Sequence, residues 1–187
     1  ANRKPVVMLD RIVLPLIYDS VTNNNDAAVR EMLEYLKGQG FAYVVFVMRP
    51  GEGISTRTAR RQAVERYCDD LGLGGEVLVY DDGIDGLLLE LCGDRKACLF
   101  ANNDESMRDI LEATSAGLRR HVGVCSFADE HWAKYSGPGI TCLDQEPMLM
   151  GRRAAQKLFA RIYDGSEEPC SLDEVPARLC IFASTEI

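Results

Sequence analysis

The chain is 187 residues long, 47% hydrophobic and 27% charged, which is enough apolar material for a buried core and unlike the composition of a disordered segment. Its formal net charge of −8 excludes a polyanion-binding surface made by this chain alone, because nucleic-acid affinity rests on clustered Lys and Arg neutralising phosphates. No run approaches the roughly 18 apolar residues of a membrane span, and Ala1-Asn2-Arg3-Lys4 leads into a short strand rather than the apolar core of a signal peptide.

In chain order, Val6 to Leu9 is a short apolar run closed by Asp10 and predicts a strand. Asp26 to Lys37 places Val29, Met32, Leu33 and Leu36 at i, i+3, i+4 and i+7, a helix stopped by Gly38 and Gly40. Tyr43 to Met48 is continuously apolar, as a strand covered on both faces is, and the Arg49-Pro50-Gly51-Glu52-Gly53 loop ends it. A helix follows from about Arg57 to Leu71, then a strand from Val77 to Tyr80, a helix from Ile84 to Leu91 and a strand from Ala97 to Ala101. Met107, Ile110 and Leu111 mark another helix, Val122 to Cys125 another strand, and Glu146 to Tyr163 the longest helix, with a last strand from Leu179 to Phe182. Ile140 to Leu143, β-prone after Gly137-Pro138-Gly139 and leading into that longest helix, reads as a crossing between two lobes.

This alternation predicts an α/β fold with a parallel sheet flanked by helices. In such sheets ligands sit at the carboxyl ends of the strands, and the residues there are polar: Asp10 and Arg11, the segment from Arg49 to Arg60, Asp81 and Asp82, Asn102 to Asp104, and Asp129. Seven cysteines (Cys68, Cys92, Cys98, Cys125, Cys142, Cys170, Cys180) contain no CxxC and mostly adjoin apolar runs, so they read as buried free thiols of a cytosolic protein. His121 and His131 are too isolated for a metal site, the Gly51-Glu52-Gly53 turn lacks the Gly-Lys-Ser/Thr of a phosphate loop, and Cys125 has no histidine base beside it. No enzyme activity, cofactor or metal is expected.

The order of motifs resembles the core of the LacI/GalR family of transcriptional regulators. Lys4 to Arg11 looks like the family's "PvV.lDR" strand, Asp19-Ser20-Val21 through Asn24-Asn25 like "d.V..Dn", and Glu34 to Phe41 like "yLi..GH". Asn103-Asp104 is similar to "nD", Phe127-Ala128-Asp129 to "GfDd", Pro138 to Pro147 to "P.LTtv.Qp", Met150 to Ala155 to "mG..Aa", and Ala183-Ser184-Thr185 to "R.ST". The chain departs at Phe41, Asn24 and Phe182, and Ala128 replaces an aspartate that often meets effector hydroxyls. The resemblance implies a type I periplasmic-binding-protein-like fold: residues 1–20 and 144–165 in a partial N-terminal lobe, and 21–143 with 166–187 in a complete C-terminal lobe. It also implies a helix-turn-helix headpiece outside this chain, a small-molecule effector such as a sugar, a homodimer, operator DNA met only through the headpiece, and a cytoplasmic location without membrane contact.

The effector positions that the resemblance implies are Asp10, Arg11, Thr56, Arg60, Asn103, Asp129 and Trp132, each with a plainer reading beside it. Arg60 aligns with the family's effector arginine, whose planar fork bonds two ligand oxygens at once, or it belongs to a solvated face with Arg57 and Arg61. Thr56 donates a hydroxyl or caps the helix, and Asp10 accepts from ligand hydroxyls or pairs with Arg11. Asn103 reads as a ligand contact with Asp104 as the helix cap, Asp129 reads more readily as a cap, and Trp132 stacks on a ligand or packs at a subunit contact. Two other functions fit the same pattern. One is an exported solute-binding protein of this fold, which the seven free cysteines disfavour; the other is a flavodoxin-like enzyme or receiver domain with Asp10, Asp81 and Asp82 around a metal.

Overall fold

A computed structural model describes residues 4–84, 87–114, 122–163 and 168–187. Ala1 to Arg3 and His121, which figured in the sequence reading, lie outside the described residues, as does the 85–86 start of the helix expected from Ile84.

Two sheets organise these residues. The smaller holds β1 (Val7–Leu9), β2 (Asp19–Asn23) and β8 (Leu172–Val175), all parallel, with β2 in the middle. The larger has the order β4-β3-β5-β6-β7-β9, from β3 (Tyr43–Met48), β4 (Gly74–Val79), β5 (Ala97–Ala101), β6 (Val122–Phe127), β7 (Thr141–Asp144) and β9 (Arg178–Cys180). Every pairing in it is parallel except β7 with β9, so the expected parallel sheet is mixed at one edge. There the chain arrives from the small sheet by a direct connection after β8, with no crossover helix to reverse its direction.

The helices form where the apolar period is 3.6 and an end signal is present. In α1 (Asn25–Gly38), Asn24 caps the start by accepting from the Ala27 amide at 3.0 Å, and Val29, Met32, Leu33 and Leu36 are fully buried. Helix α2 (Ser55–Leu71) ends on Gly72 in the left-handed conformation, φ +64°, which a residue without Cβ adopts at least cost. Together α1 and α2 cover one face of the large sheet, where Phe46 meets Phe100 edge-on and Phe100 stacks on Phe127, with ring centroids 5.2 and 5.7 Å apart. The opposite face is covered by α3 (Leu87–Cys92), α4 (Asp104–Ala113) and α5 (Glu130–Tyr135). Helix α6 (Pro147–Tyr163) packs instead on the small sheet, around Val21, Met150 and Val175.

The chain passes between the sheets three times: after β2 at Asn23, after β7 at Asp144, and between β8 and β9. The buried Asn23 amide ties all three together. Its Nδ2 donates to the Gln145 carbonyl at 2.9 Å and to the Val175 carbonyl at 3.1 Å. Residues 21–23 and 172–175, which the sequence reading placed with the larger group, belong to the small sheet, 21–23 as the end of its middle strand β2 and 172–175 as β8 paired to β2.

Candidate functional site

In a sheet of this order the chain reverses its direction of winding between β3 and β5, and the carboxyl ends of the strands there face the small sheet. A cleft of about 290 Å³ lies at that junction, lined by Leu9, Asp10, Asp104, Asp129, Asp144, Gln145, Pro147 and Met150. Four aspartates thus converge from β1, the start of α4, the end of β6 and the end of β7.

Arg60, 4% exposed and one turn into α2, is not itself among the lining residues and reaches the cleft through Gln145, which is. Its Nε donates to Asn25 Oδ1 at 2.7 Å, its Nη1 to the Asn102 carbonyl at 2.7 Å and its Nη2 to Gln145 Oε1 at 2.8 Å. The guanidinium carbon sits 3.7 Å from the centroid of the Phe127 ring, whose negative face attracts it. All three acceptors are neutral. Burial pulls its pKa down to about 10, against the attraction of Asp10 and Asp104, so it stays cationic at neutral pH. The solvated-face reading of Arg60 therefore falls, because a guanidinium this buried is retained only where its donors are satisfied.

Asp10 adopts φ +53°, unusual for a residue with a Cβ. Its backbone amide extends the strand pairing to the Val21 carbonyl, Oδ2 pairs with Arg11 at 3.0 Å, and Oδ1 is buried without a hydrogen-bond partner among the described residues. The ion pair with Arg11 that the sequence offered for Asp10 is therefore present, and it leaves Oδ1 without a partner among the described residues. Arg11 reaches Thr56 Oγ1 only at 3.5 Å, the limit of a hydrogen bond. Thr56 does not cap α2: Ile54 holds the cap position, and Ser55 Oγ accepts from the Ile12 amide at 3.0 Å, joining α2 to the segment after β1.

The cap expected at Asp104 falls on its neighbour. Asn103 is the cap, its Oδ1 accepting from the Ser106 amide at 3.1 Å, while Asp104 begins the helix and lines the cleft. Withdrawal from solvent, and then Asp129, push the Asp104 carboxyl above its usual range, with Arg60 pulling the other way. Asp129 caps α5 through Oδ1, which accepts from the His131 and Trp132 amides at 2.9 and 3.2 Å, and still borders the cleft. Trp132, 38% exposed, is not among the lining residues.

Several cleft residues escaped the sequence reading. Gln145 and Asn25 lay inside quoted motifs but were given no role, because nothing local marks them as partners of an arginine 85 and 35 residues away. Asp144 is tied to Arg178, which also bonds Glu130 and Glu146 at 2.6 and 2.9 Å.

Asp10, Asp81 and Asp82 do not gather. Among the described residues the group whose donor atoms approach one another is Glu130, Asp144 and Cys180, within 4.8 Å, and there the Arg178 guanidinium already supplies the positive charge that a metal would bring. A larger groove of about 460 Å³ borders the edge strand β4, lined in part by Met48, Arg57, Arg61, Glu65 and Val79. It touches the large sheet alone, at the ends of β3 and β4, and Arg61 and Arg57 in it are paired with Glu65 and Glu105, whereas the smaller cleft gathers residues from both sheets and is the better site. No helix among the described residues is long and apolar enough to cross a membrane.

A family model described as a periplasmic binding protein-like domain matches residues 33–185. The HTH-type transcriptional regulator PtxS of Pseudomonas aeruginosa is 32% identical over 97% of this chain, and the chain spans 55% of that relative's length. A LacI transcriptional regulator from Lactobacillus brevis superposes with a TM-score of 0.79 at 22% identity, over 94% of this chain and 69% of that one. A periplasmic binding protein/LacI transcriptional regulator from Alkaliphilus metalliredigens, complexed with D-xylulofuranose, superposes with a TM-score of 0.82 at 14% identity, over 96% of this chain and 70% of that one.

Proposed function

This chain belongs to the periplasmic binding protein-like domain family as a LacI/GalR-type effector-binding core, and we propose that it is the sensing part of a bacterial transcriptional regulator that closes on a polyhydroxylated metabolite such as a sugar. The observation that carries the proposal is the placement of Arg60. It is a buried cation held against the cleft-lining Gln145 at 2.8 Å, and it bonds Asn25 and Gln145 on two of the three crossings that join the sheets. A group so placed senses both a ligand and the angle between the lobes. The cleft is rich in acceptors, with Asp10 Oδ1 buried and lacking a donor among the described residues, which suits hydroxyl hydrogens.

In this reading residues 1–20 and 144–165 form a partial N-terminal lobe and 21–143 with 166–187 the C-terminal lobe; the pairing of β2 and β8 supports moving 21–23 and 172–175 to the first group. Upstream residues would complete the first lobe and carry a DNA-binding headpiece, and two copies would pair in a cytoplasmic dimer. An effector shifts such a molecule only by binding the closed arrangement more tightly than the open one.

A thermal-shift screen with D-xylulose, D-ribose, D-gluconate, D-glucosamine and adenosine, with and without Mg²⁺, tests the proposal. At a hundredfold excess over Kd a ligand adds about 2.7 kcal/mol, a rise of several degrees that Asp10→Asn should reduce. Stabilisation by Mg²⁺ alone would favour the enzyme or receiver reading instead.

A further inference from the structure

Of the three acceptors that hold Arg60, two are out of reach of anything entering the cleft. Asn25 is 6% exposed and anchors its own Nδ2 on the Asn23 carbonyl, and the third strand-end contact is the backbone carbonyl of Asn102, 1% exposed. Gln145 differs. It is half-buried, it lines the cleft, and only its side-chain oxygen meets Arg60 Nη2.

The backbone of Gln145 is held from the other side. Asn23 Nδ2 donates to its carbonyl and, with its second hydrogen, to the Val175 carbonyl. The flanking residues are pinned as well: Arg178 bonds Asp144 Oδ2 at 3.1 Å and Glu146 Oε1 at 2.9 Å, while Glu146 is kept at φ +51°. Gln145 is therefore the one residue of this crossing whose side chain bonds the cleft arginine and whose backbone bonds the hinge amide.

We infer that Gln145 competes with an effector for the Arg60 fork, and that this one side chain couples the cleft to the three crossings beneath it. An effector oxygen that accepts from Nη2 takes the place of Gln145 Oε1. The second crossing then loses its tie to α2 and keeps only its bonds to Asn23 and Arg178. Gln145 is a positioning residue that acts through Arg60, and the competition rests on the reading of Arg60 as an effector contact, whereas the tie to the crossings does not.

Hydrogen exchange on the unliganded chain tests the tie without any ligand. The reporters are the Asn24 amide, which donates to the Val175 carbonyl, and the Glu146 amide, which donates to Asp144 Oδ1. In Gln145→Ala both should exchange about threefold to tenfold faster, the range expected for one net hydrogen bond, while Leu99 in the central strand keeps its rate. Gln145→Glu, which places a carboxylate on the guanidinium, should slow both below wild type. Unchanged rates at Asn24 and Glu146, or an equal rise at Leu99, overturn the tie. The same five-compound thermal-shift screen then tests the competition. A compound that binds Gln145→Ala at least threefold more tightly than wild type, and Gln145→Glu more weakly, supports it, whether or not wild type itself responds. Equal affinity for wild type and Gln145→Ala overturns the competition. A panel that shifts neither removes the effector reading of Arg60 and the competition with it, and the exchange rates still decide the tie.

Discussion

The Arg60 guanidinium carbon sits 3.7 Å from the centroid of the Phe127 ring, and that ring stacks on Phe100, which in turn meets Phe46 edge-on. The binding cleft and the hydrophobic core thus share one side chain. Phe127→Leu keeps much of the volume but removes the aromatic face, and it should cost about 1–3 kcal/mol by urea unfolding. Phe127→Ala should cost about 3–5 kcal/mol, because it also opens a cavity beside Phe100. If Phe127→Leu is neutral, the ring contributes only bulk and the contact with Arg60 does not matter for stability.

Asp19 supplies a pH dependence in the small sheet. Burial alone would raise its pKa, but the hydrogen bond from Arg161 at 2.8 Å and the Ser171 amide at 2.9 Å outweigh it and hold the carboxyl below the usual range. A carboxylate depressed in the folded state contributes stability that is present above its unfolded pKa and is lost as the pH falls through the folded value. Asp19→Asn should therefore cost about 1–3 kcal/mol at pH 7, and the gap from wild type should close as the pH falls below 4. Urea midpoints for both proteins at pH 7 and about pH 2, below the lowered carboxyl range, provide the check, and a gap that persists there would assign the loss to packing.

What could be read from the sequence followed from where the side chains carry a local signal. The strands of the large sheet are apolar runs, and α1 has a clean 3.6 period, so both are legible. Strand β2 is as buried as any, yet it reads Asp-Ser-Val-Thr-Asn; Ser20 Oγ and Thr22 Oγ1 have no partner among the described residues, while Arg161 and Ser171 reach Asp19 and two distant carbonyls accept from Asn23. Those partners lie more than 100 residues away in sequence, beyond any window of periodicity. The same limit hid β8, whose Leu172-Asp173-Glu174-Val175 has one buried residue, and put the helix cap on Asp104 instead of Asn103, two neighbouring residues either of which can cap a helix. At the cleft, Arg60 stood out through resemblance, whereas the acceptors that hold it are defined by the fold alone.

Asp129 separates capping from recognition, because asparagine caps a helix about as well as aspartate but lacks the charge. Asp129→Asn should leave stability within about 0.5 kcal/mol, and Asp129→Ala should lose about 0.5–2 kcal/mol through the freed His131 and Trp132 amides. If the cleft carboxylates accept from ligand hydroxyls, Asp129→Asn should still weaken the thermal shift given by whichever compound stabilises wild type. An undiminished shift would confine Asp129 to its helix.

The outer face of α6 separates a buried seam from an apolar surface that the proposed first lobe would cover. Met150 is 4% exposed against Val21 and Val175, whereas Met148 is 82%, Phe159 55% and Tyr163 78% exposed on the same helix. A contiguous apolar face of this kind marks a contact surface or an aggregation liability. Met150→Ala should cost about 2–5 kcal/mol, since it empties the centre of the small cluster. Phe159→Glu combined with Tyr163→Ser should change stability by no more than about 0.5 kcal/mol, yet lower the binding of an apolar dye and raise solubility. In a longer form of the protein that includes upstream residues, the same double substitution should become destabilising by several kcal/mol, because the face would then be covered. Neutrality there as well would mean that the upstream chain does not pack on α6, and the division into a completed first lobe would fail with it.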